Sequence, residues 1–404
     1  MSGPLEGLRV ADFSQLVQGP NATQMLADMG AEILKIEPLN GDWQRNWSLG
    51  DAWIGGESVS FLAFNRGKRS ITLNLKDPRG KEAALRIIRS CDVLLENFRP
   101  GVMDRLGLGY KALAETHPGL IYCASCGWGQ DGPYVKRPGQ DLLAQAVAGV
   151  LTLNGKAGDP PSPVGMGIAD LTASFHIVSA ILAALYERNR SGTGQRIDVN
   201  LLNSMLSLAT QEITLYLNSG HVPERSAAGI GHPCVGAPMG VYRTRDGYIV
   251  VAMMSIGRIA ELVGIPGYEG NDSRNVLENR DEVKRSLEPG FAARTTAELL
   301  EIFLEADIWA APVNTFPQIE HDPQIKHNGS LVSFEHPRVG QFRTVGPPAR
   351  FSRTPCTIRR PPLLGEHTDE ILQEHGYVEG EIDRFRNDGV VGPGSEKAGS
   401  GCGA

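Results

Sequence analysis

The chain has 404 residues, 41% of them hydrophobic and 21% charged, with a formal net charge of −7. That is the make-up of a soluble globular protein with room for two domains and a substantial core. The acidic balance argues against a nucleic-acid binder, which carries a basic surplus, but a polyanionic ligand needs only a local basic pocket.

The N-terminus, MSGPLEGLRVADF, has no basic stretch leading into an apolar one, so no secretory signal is expected. No apolar run approaches the roughly 18 residues of a membrane span, which predicts a cytoplasmic protein without a membrane partner. Residues 7–13 (GLRVADF) read as a buried strand. Residues 20–30 follow as a helix, with Asn21 as N-cap and Gly30 as stop, and 31–37 (AEILKIE) as a second strand. The alternation continues through a strand at 69–75, a helix at 77–90 with Pro78 in its first turn, and a strand at 92–98. A helix near 110–116, a strand at 119–125 and a helix at 140–152 complete the half. Such alternation predicts an α/β fold with a Rossmann-like, doubly wound parallel sheet.

The segment 171–188 is the clearest helix, with Phe175, Val178, Leu182 and Leu185 on one face. A strand at 196–202 and a long helix at 203–217 come next. Residues 220–240 are rich in Gly, Pro and Ala, and 241–254 read as a hairpin turning at Asp246-Gly247. The expected organisation is a large Rossmann-like domain at 1–202, a linker helix at 203–224, a smaller α+β domain at 225–310 and a linker at 311–340. The large domain resumes at 341–385, with 368–376 as the last helix, and 386–404 form a disordered tail.

The first βα turn, SQLVQGPNAT, lacks the G-x-G-x-x-G fingerprint, which argues against a nicotinamide dehydrogenase. Glu37 ends the second strand where a ribose-binding acid sits in such enzymes, and a solvated strand end is the preferred reading. Lys68, Arg69, Lys76, Arg99, Arg105, Lys136 and Arg137 lie near predicted strand ends and together suit a ligand with several phosphates. Cys123 and Cys126 form a C-x-x-C without a second pair, read as packed thiols and not as a metal site. Asp170 follows the glycine-rich run PVGMGIA and opens a helix. It is either a plain N-cap or a carboxylate kept ionised by the helix dipole and able to attack a thioester, with Gly165 and Gly167 leaving room for the substrate. His176, alone on its helix, has no Ser-His-Asp arrangement around it.

Several long segments resemble the class III coenzyme A transferases. They are PLEGLRVADFSQLVQGPNATQMLADMGAEILKIE, NRGKRSITLNLK, LLENFRPGVMDRLG, GWGQDGPYVKRPGQDLLAQAVAG, the Asp170 segment, ILAALYERNRSGTGQRIDVNLL and PLLGEHTDEIL. The resemblance makes the large domain the CoA-binding one. It implies acyl-CoA and a small carboxylic acid as substrates, no tightly bound cofactor or metal, and an interlocked homodimer. It also implies Asp170 as the nucleophile, and coenzyme A contacts at Gln15, Leu16, Leu73, Lys76, Asn97, Phe98 and Arg105. Gln140, where formyl-CoA transferase has a tyrosine, would orient Asp170 or the acceptor. Val17 replaces a glutamine of that enzyme, which argues against oxalate or formate. The racemases of the same superfamily need a histidine at position 140 and an acid such as Glu261; a glutamine is neither acid nor base. A non-catalytic acyl-CoA-binding scaffold is the alternative from another class.

Overall fold

A computed structural model describes residues 3–392. They divide into two compact units. The larger comprises residues up to Ala144, Gly167–Met205, and the segment from Gln324 onward; the smaller comprises Gln145–Met166 and Leu206–Pro323. The segment 145–166, assigned to the large domain from sequence, thus clusters with the small unit.

The large unit is built on six strands: β1 (Arg9–Asp12), β2 (Glu32–Glu37), β3 (Lys68–Thr72), β4 (Val93–Glu96), β5 (Ile121–Cys126) and β6 (Arg196–Asn200). They lie in the order β3-β2-β1-β4-β5-β6, and every pairing is parallel. This is the order of dinucleotide-binding sheets, with the strand order reversing between β1 and β4. Alternate residues feed two cores. Val10, Ile33, Val93, Leu95, Ile121 and Cys123 pack on one face. Ala11, Leu34, Ile36, Leu94, Tyr122 and Ala124 pack on the other.

Four helices matter for the site: α1 (Gln18–Asp28), α2 (Pro78–Arg89), α3 (Asp141–Val147) and α4 (Ile168–Ser191). Asp77 caps α2 through its side chain, with Pro78 just inside. Asn21 is not a cap; α1 begins at Gln18 after Val17, and no side chain caps it. The α4 helix is long and apolar enough to cross a membrane, contrary to the expectation from sequence. Here one stripe of it covers the sheet. Ile177, Val178, Ile181 and Ala184 are buried in the core that holds Val10, Leu182 and Leu185 pack against it, and of the expected face Phe175, 55% exposed, points away. Small and branched side chains let the helix sit close to the strands, which turns the larger Phe175 outward.

The predicted 203–217 helix is two helices, Leu201–Leu208 and Thr210–Ser219, divided at Ala209. The 140–152 helix stops at Val147, and a separate 3-10 turn covers Val150–Thr152. Helix Thr368–Glu374 is followed by a further one, Glu379–Asn387. Val390 and Val391 are buried in the core, and Gly392 N donates to Thr72 Oγ1 at 3.0 Å. Residues 386–392 are therefore packed structure, not a loose tail, and 393–404 lie outside the described residues.

In the small unit, β7 (Gly240–Arg243), β8 (Tyr248–Val251) and β9 (Ala310–Pro312) form an antiparallel sheet in the order β9-β8-β7. Its core is Tyr242, Ile249, Val251, Ile259, Leu287, Phe291 and Phe303, with Tyr242 stacked on Phe291.

Candidate active site

The carboxyl ends of a doubly wound sheet open a crevice where the strand order reverses. Here a cavity of about 590 Å³ lies there, lined by Phe13, Gln15, Glu37, Leu73, Lys76, Phe98 and Arg105 among others. A narrower cleft of about 110 Å³ is lined by Leu16, Gln18, Asn97, Phe98, Arg99, Cys126, Gly127, Trp128 and Arg137. Phe98 lines both. The eight residues predicted from sequence to contact coenzyme A (Gln15, Leu16, Leu73, Lys76, Asn97, Phe98, Arg105 and Arg137) are thus all brought to these two adjoining hollows. Lys76 and Arg105 supply positive charge to the larger one, and Arg99 and Arg137 to the smaller. The Arg137 guanidinium lies 3.7 Å from the centre of the Tyr134 ring.

Other predicted charges have different roles. Lys68 is fully buried, donating to Asp12 Oδ2 at 3.1 Å and to Asn65 Oδ1 at 2.9 Å. Arg69 pairs with Glu32, Glu370 and Glu374. Neither is free for a ligand. Glu37 is no solvated strand end. It is buried, ion-paired to Arg45 at 2.7 Å, and accepts from Ser70 Oγ at 2.6 Å. Burial alone would raise its pKa, but Arg45 and Lys35 overcome that and hold it at about 2. Cys123 is packed in the core, and Cys126 Sγ accepts from Gly129 N at 3.3 Å. Among the described residues no group of His, Cys, Asp and Glu is arranged to hold a metal. His176 Nδ1 is 3.0 Å from Ser204 Oγ, and Glu261 is an exposed surface acid paired with Arg258.

Asp170 stands in the first turn of α4 but is not its cap; that position belongs to Gly167. The orphan N–H groups of the turn are satisfied by Asp141, which opens α3. Asp141 Oδ2 accepts from Ala169 N at 2.7 Å and from Asp170 N at 3.0 Å. The Asp170 carboxyl is therefore left out of the capping bonds. Burial, and then the negative charge of Asp141, push its pKa up from 3.8 to about 7. This reverses the expectation that the helix end keeps it fully ionised: near neutrality it is poised between acid and carboxylate. Gln140 is exposed, and its backbone carbonyl accepts from Leu143 N and Ala144 N at the start of α3. Nothing in the sequence singled out Asp141, whose one local signal is an acid at the first position of an apolar-patterned helix.

The first βα turn links the crevice to Asp170. Gln18 O accepts from Ser174 Oγ at 2.8 Å, and the same hydroxyl reaches Asp170 O at 2.9 Å. Ser125 Oγ donates to Gln18 Oε1 at 2.6 Å. A basic crevice and an uncapped, partly buried carboxyl are joined by one short loop.

These features define an α/β protein with a basic crevice at the carboxyl ends of its parallel sheet and a carboxyl that titrates near neutrality. Residues 5–368 match CoA-transferase family III, and the chain belongs to that family: it is a class III CoA-transferase. It is 36% identical to the succinyl-CoA:glutarate CoA-transferase of Mus musculus, over 96% of this chain and 90% of that one. It is 30% identical to a formyl-CoA:oxalate CoA-transferase of Rhodopseudomonas palustris, over 98% and 100%. The crystal structure of a CAIB/BAIF family protein from Brucella suis superposes with a TM-score of 0.83 at 32% identity, covering 93% of this chain and 100% of that one.

Proposed function

We propose that the protein moves coenzyme A from an acyl-CoA donor to a carboxylic acid through covalent intermediates on Asp170. The observation that carries this reading is the Asp170 carboxyl itself. It is spared from capping by Asp141, and the hydrogen-bonded Gln18 turn ties its helix to the basic crevice. The nucleotide lies against Lys76 and Arg105, and the pantetheine arm runs past Leu16, Asn97 and Phe98.

Ionised Asp170 attacks the thioester carbonyl and expels coenzyme A as thiolate, leaving a mixed anhydride. The thiolate attacks the aspartyl carbonyl, releasing the donor acid and forming an aspartyl-CoA thioester. An acceptor carboxylate attacks that thioester, again expelling thiolate, which takes the acceptor's acyl group and restores Asp170. Each step exchanges one acyl bond for another, with no net oxidation. Gln140, exposed at the mouth of α3, orients the acceptor carboxylate.

The similarity to succinyl-CoA:glutarate CoA-transferases favours succinyl-CoA as donor and glutarate as acceptor. A second copy of the chain is the proposed partner. Phe175 and Tyr186 on α4, and Tyr216 and Leu217 on the 210–219 helix, are each more than half exposed; apolar area of this kind is usual where another subunit covers it.

Incubation of succinyl-CoA with labelled glutarate, read by mass spectrometry, should yield labelled glutaryl-CoA. Asp170→Ala should abolish the exchange while acyl-CoA binding survives, and hydroxylamine should trap an adduct on Asp170. Full transfer by Asp170→Ala would refute the mechanism.

A further inference from the structure

A fully buried ion pair sits beneath the first βα turn. Lys35 Nζ and Asp42 Oδ2 are 2.9 Å apart, and both side chains are sealed from solvent. Replacing such a pair by apolar side chains often costs a protein nothing, so the pair needs a reason other than stability. Its hydrogen bonds supply one. Leu16 has a φ of 66°, in the left-handed region that a leucine rarely occupies. Its N–H donates to Asp42 Oδ1 at 3.2 Å. The neighbouring residues are pinned as well. Gln15 exchanges two 2.8 Å bonds with the Asn97 carboxamide, and Ser14 O accepts from Lys35 Nζ at 2.9 Å. Asp42 is in turn fixed through its own N–H, which donates to Glu37 Oε2 at 2.9 Å.

The held turn faces two ways. The Leu16 side chain lines the narrow cleft with Asn97, Phe98 and Arg137. Two residues on, Gln18 is bonded through Ser174 to the helix of Asp170. We propose that Asp42 is a positioning residue for the transfer reaction: paired with Lys35, it locks the left-handed kink at Leu16 and so sets the placement of the bound thioester relative to Asp170. Glycine-rich loops do this work in dinucleotide-binding sheets; here a charged clamp holds a leucine where glycine would need no help. The inference rests on the transferase reading.

The test is a double-mutant cycle of Asp42→Asn and Leu16→Gly. The buried Lys35 ammonium draws the carboxamide oxygen introduced by Asp42→Asn, which turns the N–H₂ toward the Leu16 N–H, donor against donor, and releases the turn. At a temperature where the variant is folded, kcat for succinyl-CoA and glutarate should fall at least about tenfold. Leu16→Gly lowers transfer by loss of its own contact. In that background Asp42→Asn should change kcat less than about twofold, because glycine takes the same φ without a clamp. Equal losses in both backgrounds would overturn the proposal, as would a fall in Tm with unchanged kcat. If Asp42→Asn fails to fold, the double variant Lys35→Met, Asp42→Ala, which removes the acceptor of the Leu16 N–H without leaving a buried charge unpaired, enters the cycle in its place. Hydrogen exchange separates the two readings. The Leu16 amide should be protected in the wild type and exchange at least about tenfold faster in the Asp42 variant, whether or not the protein transfers coenzyme A. Unchanged exchange sinks the clamp, and absence of transfer by the wild type with normal exchange sinks the transferase mechanism instead.

Discussion

Replacing Asp141 by asparagine tests how the nucleophile is tuned. The amide oxygen of the new side chain still accepts from Ala169 N and Asp170 N, so the turn keeps its cap while losing a negative charge. The rise of Asp170 from 3.8 to about 7 has two causes, burial first and Asp141 second. The charge is the second of the two causes, so it supplies the smaller part of the rise. Attack requires the carboxylate, so in the free enzyme kcat/KM climbs with pH through the Asp170 pKa. The wild-type rising limb should centre at about pH 7, and that of Asp141→Asn should lie lower. The assay is the initial rate of succinyl-CoA-dependent glutaryl-CoA formation between about pH 5 and 9, extrapolated to low substrate. A limb that stays in place or moves upward would refute the electrostatic coupling. Loss of all activity together with a lower melting temperature would show that the cap needs the full charge.

The same shift has a thermodynamic face. The folded state holds the Asp170 proton more tightly than the unfolded chain, so this group favours folding at low pH, and its contribution is lost as pH rises from about 4 to about 7. Asp170→Asn should therefore be more stable than the wild type at pH 8, by about 2 to 4 kcal/mol after allowance for partial exposure, with the gap closing near pH 4; thermal melts at the two pH values decide it. Lys76→Ala and Arg105→Ala, at the edge of the larger cavity, should each raise the KM for acyl-CoA about tenfold or more with little change in kcat. A truncated acyl-pantetheine donor should not feel either change. Val390→Ala, in a fully buried position, should cost about 1 to 2 kcal/mol in urea unfolding; an unaltered midpoint would contradict the packing of this segment.

Much of the large unit was legible because parallel strands are short apolar runs set off by helices with clear starts, such as Asp77-Pro78. The order of those strands was not, since nothing local tells β4 to lie beside β1. The stripe on α4 was legible at Val178, Leu182 and Leu185, which belong to or pack against the core, and was misread at Phe175, where close approach to the sheet favours Ile177 and Ile181. Glu37 and Lys68 look solvated in sequence because, beside the nearer Arg45 and Asn65, each has a partner far along the chain: Ser70 is 33 positions from Glu37, and Asp12 is 56 from Lys68. Asp141, 29 positions from Asp170, was invisible for the same reason. The residues around the crevice were found through long motifs, and their convergence on two adjoining hollows came from the sheet that carries them.

The packing of Val390 and Val391 has a consequence for how the molecule is made. The strand β3 lies at one edge of the sheet, and its Thr72 is bonded to Gly392, 320 positions later. At roughly 5–20 residues per second, a ribosome leaves that edge without its final cover for about 15 to 60 s. Throughout that interval the half-finished sheet carries an open border able to pair with another nascent chain. Chaperone occupancy during translation should peak in this window and fall once the last valines have emerged.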